Sequence, residues 1–99
     1  MIIVMGYIGL PAAEQDKAME AISALVSATR QEVGCISYSF ARDLLDPDIV
    51  RISEEWASED ALKAHGQQPH MAEFGKVAAT LGITARALNR YVAGDGVPI

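Results

Sequence analysis

The spacing of apolar residues changes along the chain, and each change marks a predicted element. Residues 2–10 carry apolar side chains at both alternating sets of positions, which is typical of a strand covered on both faces. From 12 to 33 apolar residues recur every three or four positions, which predicts an amphipathic helix that stops at Gly34. Its apolar side is expected to hold Ala18, Ile22, Leu25, Val26 and Thr29, and its polar side Glu14, Gln15, Glu20 and Ser27.

The same patterns continue to the end of the chain. The remaining predicted elements are strands over 35–42 and 49–56, helices over 59–65 and 69–81, a strand over 83–92 and a tail over 93–99. Asp46-Pro47 predicts a turn that joins two of the strands as a hairpin. Ser58 is the predicted cap of the short helix, and Pro69 fits the first turn of the next one. Ile36, Tyr38 and Phe40 are expected on one strand face, and Cys35, Ser37, Ser39 and Ala41 on the other.

This order predicts an α+β fold of the ferredoxin-like type, β-α-β-β-α-β, with the second helix in two pieces. We expect one domain over residues 1–99, with its core in 2–92 and an antiparallel sheet that has helices on one face. Hydrophobic residues make up 51% of the chain, which is a high fraction for so small a domain. Because the first strand is apolar on both faces, we expect a second copy to cover the bare face, forming a sheet-to-sheet homodimer.

Charge and cysteine content exclude several classes of function. The net charge is −5 and the basic residues are scattered, so a nucleic-acid-binding surface is not expected. A single cysteine, Cys35, excludes an internal disulfide. The apolar first ten residues lack a basic lead-in and are too short to span a membrane, which needs roughly 20 residues. These features predict a cytoplasmic protein without a membrane partner.

A series of short motifs resembles the antibiotic biosynthesis monooxygenase family. In chain order they are Glu32-Val33-Gly34-Cys35-Ile36, Tyr38, Asp46-Pro47, Glu54-Glu55-Trp56-Ala57-Ser58-Glu59, Leu62, His65, Pro69-His70 and Phe74. Each motif alone is weak, but together they match the family in order and spacing over residues 2–92. The resemblance implies a dimeric α/β barrel built from two ferredoxin-like subunits, each with a pocket between its sheet and its helices.

The resemblance also implies a chemistry. Characterised members of the family oxidise quinols and anthrones with molecular oxygen, without metal, flavin or haem, so no cofactor is expected and the expected ligand is a small aromatic molecule. Other members of the superfamily degrade haem or isomerise small signalling sugars. Haem cleavage is not expected here, because the first strand has Tyr7 where those enzymes use asparagine, and His65 stands at their tryptophan position.

Cofactor-free oxygenation needs a base, an apolar pocket and exclusion of water. The chain has two histidines, and both are predicted to point inward from apolar helix faces. His70 lies at a helix N-terminus, which favours neutral imidazole, and His65 at a C-terminus, which favours the protonated form. The hypothesis is therefore that His70 accepts the proton and His65 donates or orients. The alternative is that each histidine is simply a hydrogen-bonded core residue.

Further candidates for substrate binding are Trp56, Tyr7, Tyr38, Phe74 and Glu54. Trp56 is a candidate wall for an aromatic ring, although a core tryptophan with a bonded N–H is the favoured interpretation. A carboxylate on an apolar strand face must be paired or protonated, so Glu54 is expected to be an anchor to Arg51, Arg86 or Arg90, with a pocket acid as the alternative.

A metal site is not expected, because His65 and His70 are five residues apart with a proline between them. Two other functions stay open beside the predicted cofactor-independent monooxygenase. One is a cofactor-free isomerase of a small phosphorylated metabolite, which would need converging cations. The other is a dimeric ligand-binding or stress-response module without catalysis.

Overall fold

A computed structural model describes residues 1–99. Its elements in chain order are β1 (Ile2–Gly9), α1 (Ala12–Thr29), β2 (Cys35–Arg42), β3 (Ile49–Trp56), α2 (Glu59–His65), α3 (Pro69–Ala78) and β4 (Ala85–Val92). The strands form one sheet in the order β2-β3-β1-β4, and all neighbours are antiparallel. The predicted α+β, ferredoxin-like arrangement is confirmed. No helix combines the length and the apolar character that crossing a membrane requires.

The strand register places one set of side chains under the helices. Ile2, Val4 and Ile8 of β1 lie opposite Trp56, Glu54 and Val50 of β3. The core consists of two adjoining groups, one of Ile2, Val4, Leu25, Tyr38 and Trp56, the other of Ile8, Leu10, Ala18, Val50 and Ile52. Since strand side chains alternate, the other set points away from the helices.

Helix α1 ends four residues before the predicted Val33. The amide of Arg30 closes the last turn on Val26, and Val33 is 95% exposed, so its apolar side chain does not continue the buried face. The chain reverses at Gly34, whose φ of +86° is left-handed. A Cβ there would also lie 2.6 Å from Cβ of Ala61, so this position requires glycine both for its backbone conformation and for the close approach of α2.

Strand β2 contains a bulge that corrects one predicted face. Cys35 pairs with Trp56 and Ser37 pairs with Glu55, so Ile36 is the extra residue in between. Ile36 is therefore exposed, while Cys35 packs against the core. The expectation that Ile36 shares a face with Tyr38 is wrong, because strict alternation fails across the bulge.

Gln15 was expected on the polar side of α1, but it is buried. Its side-chain amide donates to the carbonyl of Leu10 at 2.8 Å and to that of Pro47 at 2.6 Å. The bonds join the start of α1 to the end of β1 and to the β2–β3 turn. Both carbonyls lie where no regular ladder satisfies them, which is why a polar side chain is stable in this buried position.

The sheet face opposite the helices is open in the single chain. It carries Ile3, Met5 and Tyr7 of β1, and Met5 is 53% exposed. Tyr91 of the edge strand β4 pairs with Ile3 and is 52% exposed. This face mixes apolar and aromatic side chains with polar ones from β3, such as Arg51, whose guanidinium lies 5.4 Å from the centre of the Tyr7 ring.

Candidate functional site

A cavity of about 490 Å³ lies between the inner face of the sheet and helices α2 and α3. Most of its wall is hydrophobic, with Val4 and Ile52 from the sheet and Leu62, Met71 and Phe74 from the helices. Its polar and charged side chains are Tyr38, Glu54, His65, Arg86, Asn89 and Arg90. An apolar space with a few polar groups suits a flat organic ligand, and the volume is within the usual range of about 300–1,000 Å³ for such sites.

Glu54 and Tyr38 form one polar corner of the cavity, on paired positions of β3 and β2. Oε1 of Glu54 accepts a hydrogen bond from the Trp56 indole at 2.9 Å. Burial raises the pKa of Glu54 above its usual range, and the hydrogen bond from the Trp56 indole partly opposes this. Burial, followed by the charge of Glu54, also raises the pKa of Tyr38, so its phenol stays protonated and can donate a hydrogen bond.

The expectation that an arginine anchors Glu54 is wrong. Arg51 lies on the opposite face of the sheet and pairs with Asp43. Arg90 pairs with Glu59, and Arg86 is four residues further along the edge strand. The indole of Trp56 is the donor instead, because residues two apart on a strand share a face.

His65 occupies the last turn of α2 and covers this corner. Its side chain is 5% exposed, and its ring centre lies 5.3 Å from that of Tyr38 and 4.8 Å from that of Trp56. Nδ1 of His65 lies 2.7 Å from Oε2 of Glu32. Nε2 of His65 has no hydrogen-bond partner within the chain, and His65 lines the cavity.

Glu32 holds both histidines with a single oxygen. Oε2 of Glu32 is also 2.7 Å from Nε2 of His70, and the carboxylate side chain is only 8% exposed. An ionised carboxylate only accepts hydrogen bonds, so two neutral imidazoles satisfy this arrangement when His65 carries its proton on Nδ1 and His70 on Nε2. In that tautomer of His65 the lone pair lies on Nε2.

Sequence reasoning did not single out Glu32 as a site residue. Helical periodicity assigned it to the end of α1, whereas it lies in the turn after that helix. The available signal was its place in the glutamate–x–glycine–cysteine motif. Gly34, two residues later, allows the chain reversal that brings Glu32 beneath the two histidines.

His70 is placed differently from the expectation. It does not line the apolar cavity but a second, more open pocket of about 360 Å³, together with Gln31, Glu32, Ala64 and Gln68. Its side chain is 22% exposed. The first turn of α3 directs the ring outward toward the turn after α1, so the two histidines lie on opposite sides of Glu32.

The predicted site residues therefore divide into two groups. The structure brings Tyr38, Glu54, His65 and Phe74 together around the cavity. Outside the cavity wall are Tyr7, Trp56 and His70. Tyr7 lies on the opposite sheet face because odd-numbered residues of β1 point away from the helices, and Trp56 is fully buried behind Glu54.

Glu32, His65 and His70 are also the residues that could hold a metal ion, since their donor atoms lie within 4.8 Å of one another. The two nitrogen–oxygen distances of 2.7 Å are hydrogen-bond lengths. Zinc bonds of about 2.0–2.1 Å in tetrahedral geometry would separate neighbouring donors by about 3.3 Å. The cluster as arranged is a hydrogen-bond network around one carboxylate.

The chain is similar to known proteins both in sequence and in fold. A model of the antibiotic biosynthesis monooxygenase family matches residues 1–77. A crystal structure of a candidate antibiotic biosynthesis monooxygenase from Deinococcus radiodurans superposes with a TM-score of 0.90 at 27% identity, covering 100% of this chain and 98% of the other. A conserved protein of Methanosarcina mazei superposes with a TM-score of 0.83 at 25% identity, covering 91% and 89%.

One curated protein is similar to this chain in sequence. An uncharacterised protein of Synechocystis is 32% identical over 73 residues, which are 74% of this chain and 50% of the relative. The chain thus spans half the length of the curated relative that it matches. The match of the family model to most of the chain, together with the shared fold, is decisive. The chain belongs to the antibiotic biosynthesis monooxygenase family.

Proposed function

We propose that this protein is a cofactor-independent monooxygenase that oxidises electron-rich aromatic molecules, such as quinols and anthrones, with molecular oxygen. One observation supports this most directly. His65 lines an apolar cavity while Glu32 holds its Nδ1, and in this proposal its other ring nitrogen, Nε2, is the base. In this proposal His65 is the base and His70 is a positioning residue, the reverse of the roles expected from helix dipoles, because His70 does not reach the cavity.

The chemistry asks little of the protein beyond these groups. Nε2 of His65 removes a proton from the hydroxyl of a quinol or the acidic carbon of an anthrone, and Glu32 stabilises the resulting imidazolium. The substrate anion then supplies the electrons for oxygen. An anthrone and one O2 yield an anthraquinone and one water. Tyr38 would donate a hydrogen bond to a substrate oxygen, and Phe74 and Leu62 would hold the ring away from water.

We further propose that two copies assemble through the open sheet face. Met5 and Tyr91 expose about half of their surface there, next to Ile3 and Tyr7. Burying these side chains against a second copy would remove an exposed apolar patch from water. Sedimentation velocity with a Met5→Glu variant tests this, since a dimer that becomes monomeric supports the assembly and an unchanged dimer rejects this face.

The monooxygenase proposal is tested in an oxygen electrode. The full chain, treated with EDTA, is mixed with hydroquinones and anthrones, and oxygen uptake above autoxidation is measured. The matched pair of variants is His65→Gln and His70→Gln, with circular dichroism as the check of folding. We expect His65→Gln to abolish the catalysed uptake and His70→Gln to reduce it, because only His65 touches the cavity.

Two results would contradict this proposal. Uptake that survives His65→Gln would remove the histidine mechanism. Ligand binding without any uptake by the wild-type chain would indicate a binding module or a different reaction.

A second candidate function is supported by one observation, the presence of Arg86 and Arg90 in the cavity wall. A cofactor-free isomerase of a small phosphorylated metabolite needs such cations. Arg90 is already paired with Glu59, so only Arg86 remains for a phosphate. Turnover of a phosphorylated sugar under anaerobic conditions would favour the isomerase.

A further inference from the structure

Arg86 is exposed on the edge strand β4 and is the one arginine that makes neither an ion pair nor a side-chain hydrogen bond within the chain. Arg42, Arg51 and Arg90 form ion pairs with Asp16, Asp43 and Glu59. Arg30 donates to the carbonyl of Tyr38 at 2.9 Å. Arg86 has no carboxylate within salt-bridge distance in a chain of net charge −5, yet it contributes to the wall of an apolar cavity.

The strand register places Arg86 far from the base. Val4 pairs with Glu54 on one side and with Arg90 on the other, so Glu54 and Arg90 face each other across β1, about 10 Å apart at Cα. Arg86 lies four residues before Arg90 on β4, which is about 13 Å along the strand. The Cα atoms of Glu54 and Arg86 are therefore at opposite corners of the cavity floor, about 16 Å apart.

The cavity thus has two chemically different ends. Tyr38, Glu54 and His65 place a phenol, a carboxyl and an imidazole group at one end. Arg86 provides a permanent positive charge at the other, and its planar guanidinium can bind a carboxylate through two parallel hydrogen bonds. Apolar side chains such as Ile52 and Leu88 lie between the two ends. A molecule that satisfies both ends has a flat apolar body, a hydroxyl at one end and an anion at the other.

We infer that the ligand of this cavity is an aromatic hydroxy acid, whose carboxylate binds Arg86 while its hydroxyl lies against His65 and Tyr38. The assignment of the reacting end rests on the proposed function, whereas the binding of the carboxylate by Arg86 does not. Arg86 is thereby a specificity-determining residue, since it selects for charge at a position remote from the base.

The test compares two matched ligands, 2-naphthol and 6-hydroxy-2-naphthoic acid, which share the ring and the hydroxyl and differ in the distant carboxylate. Binding to the full chain is measured by calorimetry at neutral pH, so oxygen chemistry is not required. Arg86→Gln removes the cation, and Arg42→Gln is the control because it removes the same charge from an exposed site outside the cavity. Arg86→Lys keeps the positive charge but lacks the planar guanidinium that forms two parallel hydrogen bonds.

We expect the wild-type chain and Arg42→Gln to bind the acid at least about tenfold more tightly than the naphthol, as a charge-assisted pair provides. Arg86→Gln should lose that preference, Arg86→Lys should keep part of it, and Arg42→Gln should bind both ligands as the wild-type chain does. Equal affinities in the wild type, a preference that survives Arg86→Gln, or binding of neither ligand would overturn the inference.

Failure of the inference is distinguishable from failure of the proposed function. Oxygen uptake with neutral hydroquinones but no preference for the acid would support the monooxygenase and contradict the inference that the ligand is a hydroxy acid. A preference that depends on Arg86, without uptake of oxygen with either naphthalene or any quinol, would keep the ligand class and remove the monooxygenase.

Discussion

Replacing Glu32 by glutamine removes the negative charge between His65 and His70 but keeps the volume of the side chain and one oxygen acceptor. In the wild type, one carboxylate oxygen accepts from both rings at 2.7 Å. The carboxamide can still accept through its oxygen, but each bond changes from charge-assisted to neutral. The substitution therefore measures how strongly the charge of Glu32 holds the two histidines.

The magnitude follows from the burial of the three groups. A hydrogen bond to a charged partner contributes about 1.5–3 kcal/mol, and a neutral one about 0.5–1.5 kcal/mol, so each bond loses about 1 kcal/mol. The side chain of His65 is nearly inaccessible to water, so its bond should lose the whole of this free energy. His70 is 22% exposed, so water replaces part of its bond and we count about half. The free energy of unfolding should fall by about 1.5 kcal/mol, or about 6–12 °C in Tm.

The assay is urea denaturation followed by the fluorescence of Trp56, the one tryptophan, which is fully buried beside His65. All proteins are compared at one concentration, because dimer dissociation would add its own dependence. Glu20→Gln is the control, since Glu20 is exposed on α1 and should stay within about 0.5 kcal/mol of wild type. A loss for Glu32→Gln no larger than that of the control would refute the role of the shared carboxylate.

Nitrogen-15 NMR of the histidines adds a readout that a purely structural role would not affect. The wild type should show His65 protonated on Nδ1 and His70 on Nε2, as an anionic acceptor requires. Glu32→Gln should mix the tautomers of His65, because an amide can also donate. If His65 is protonated on Nε2 in the wild type, its free nitrogen would face Glu32, and the proposed base would be wrong.

Three other substitutions test separate features of the fold. Because burial raises the pKa of Glu54, the folded state holds that proton more tightly, so this group stabilises the fold in acid and loses its contribution as pH rises above its ordinary value of 4.5. Urea titrations should therefore show that Glu54→Gln gains stability relative to wild type as the pH rises above 4.5. Gly6→Ala would place a Cβ 1.7 Å from the carbonyl oxygen of Ala87, so it should lower the free energy of unfolding by about 3 kcal/mol or prevent folding. The control is Gly94→Ala, which has open space around it and should not change thermal unfolding. Gln15→Ala leaves two carbonyls without their donor and should cost about 2 kcal/mol in urea denaturation, and a loss below about 0.5 kcal/mol would contradict its structural role.

Local periodicity predicted the order of the elements because each element buries a face that its own sequence defines. The bounds of β2 and β3 agree with the prediction to the residue. The ends of α1 and α3 do not, because apolar residues continue beyond the last helical turn. Val33 is apolar but almost fully exposed, so its pattern carried no information about burial.

The candidate site was predictable only in part for a similar reason. Strand parity correctly placed Glu54 on the inner face, and helical spacing correctly placed His65 on a buried one. The position of Tyr7 was not predictable in this way, because both faces of β1 are apolar and nothing local distinguishes the covered face from the open one. The position of Ile36 was not predictable either, because a bulge depends on the partner strand.

By itself, the sequence determined the element order, the ferredoxin-like class and the family, since all three depend on patterns that neighbouring residues carry. Only the tertiary structure decided which residues meet. Glu32 lies 33 residues from His65 and 38 from His70, and the packing of three separate segments sets their 2.7 Å contacts. Helix packing places His65 and His70 in two different pockets. Strand register places Arg86 across the cavity from Glu54. Both are long-range interactions that no local pattern encodes.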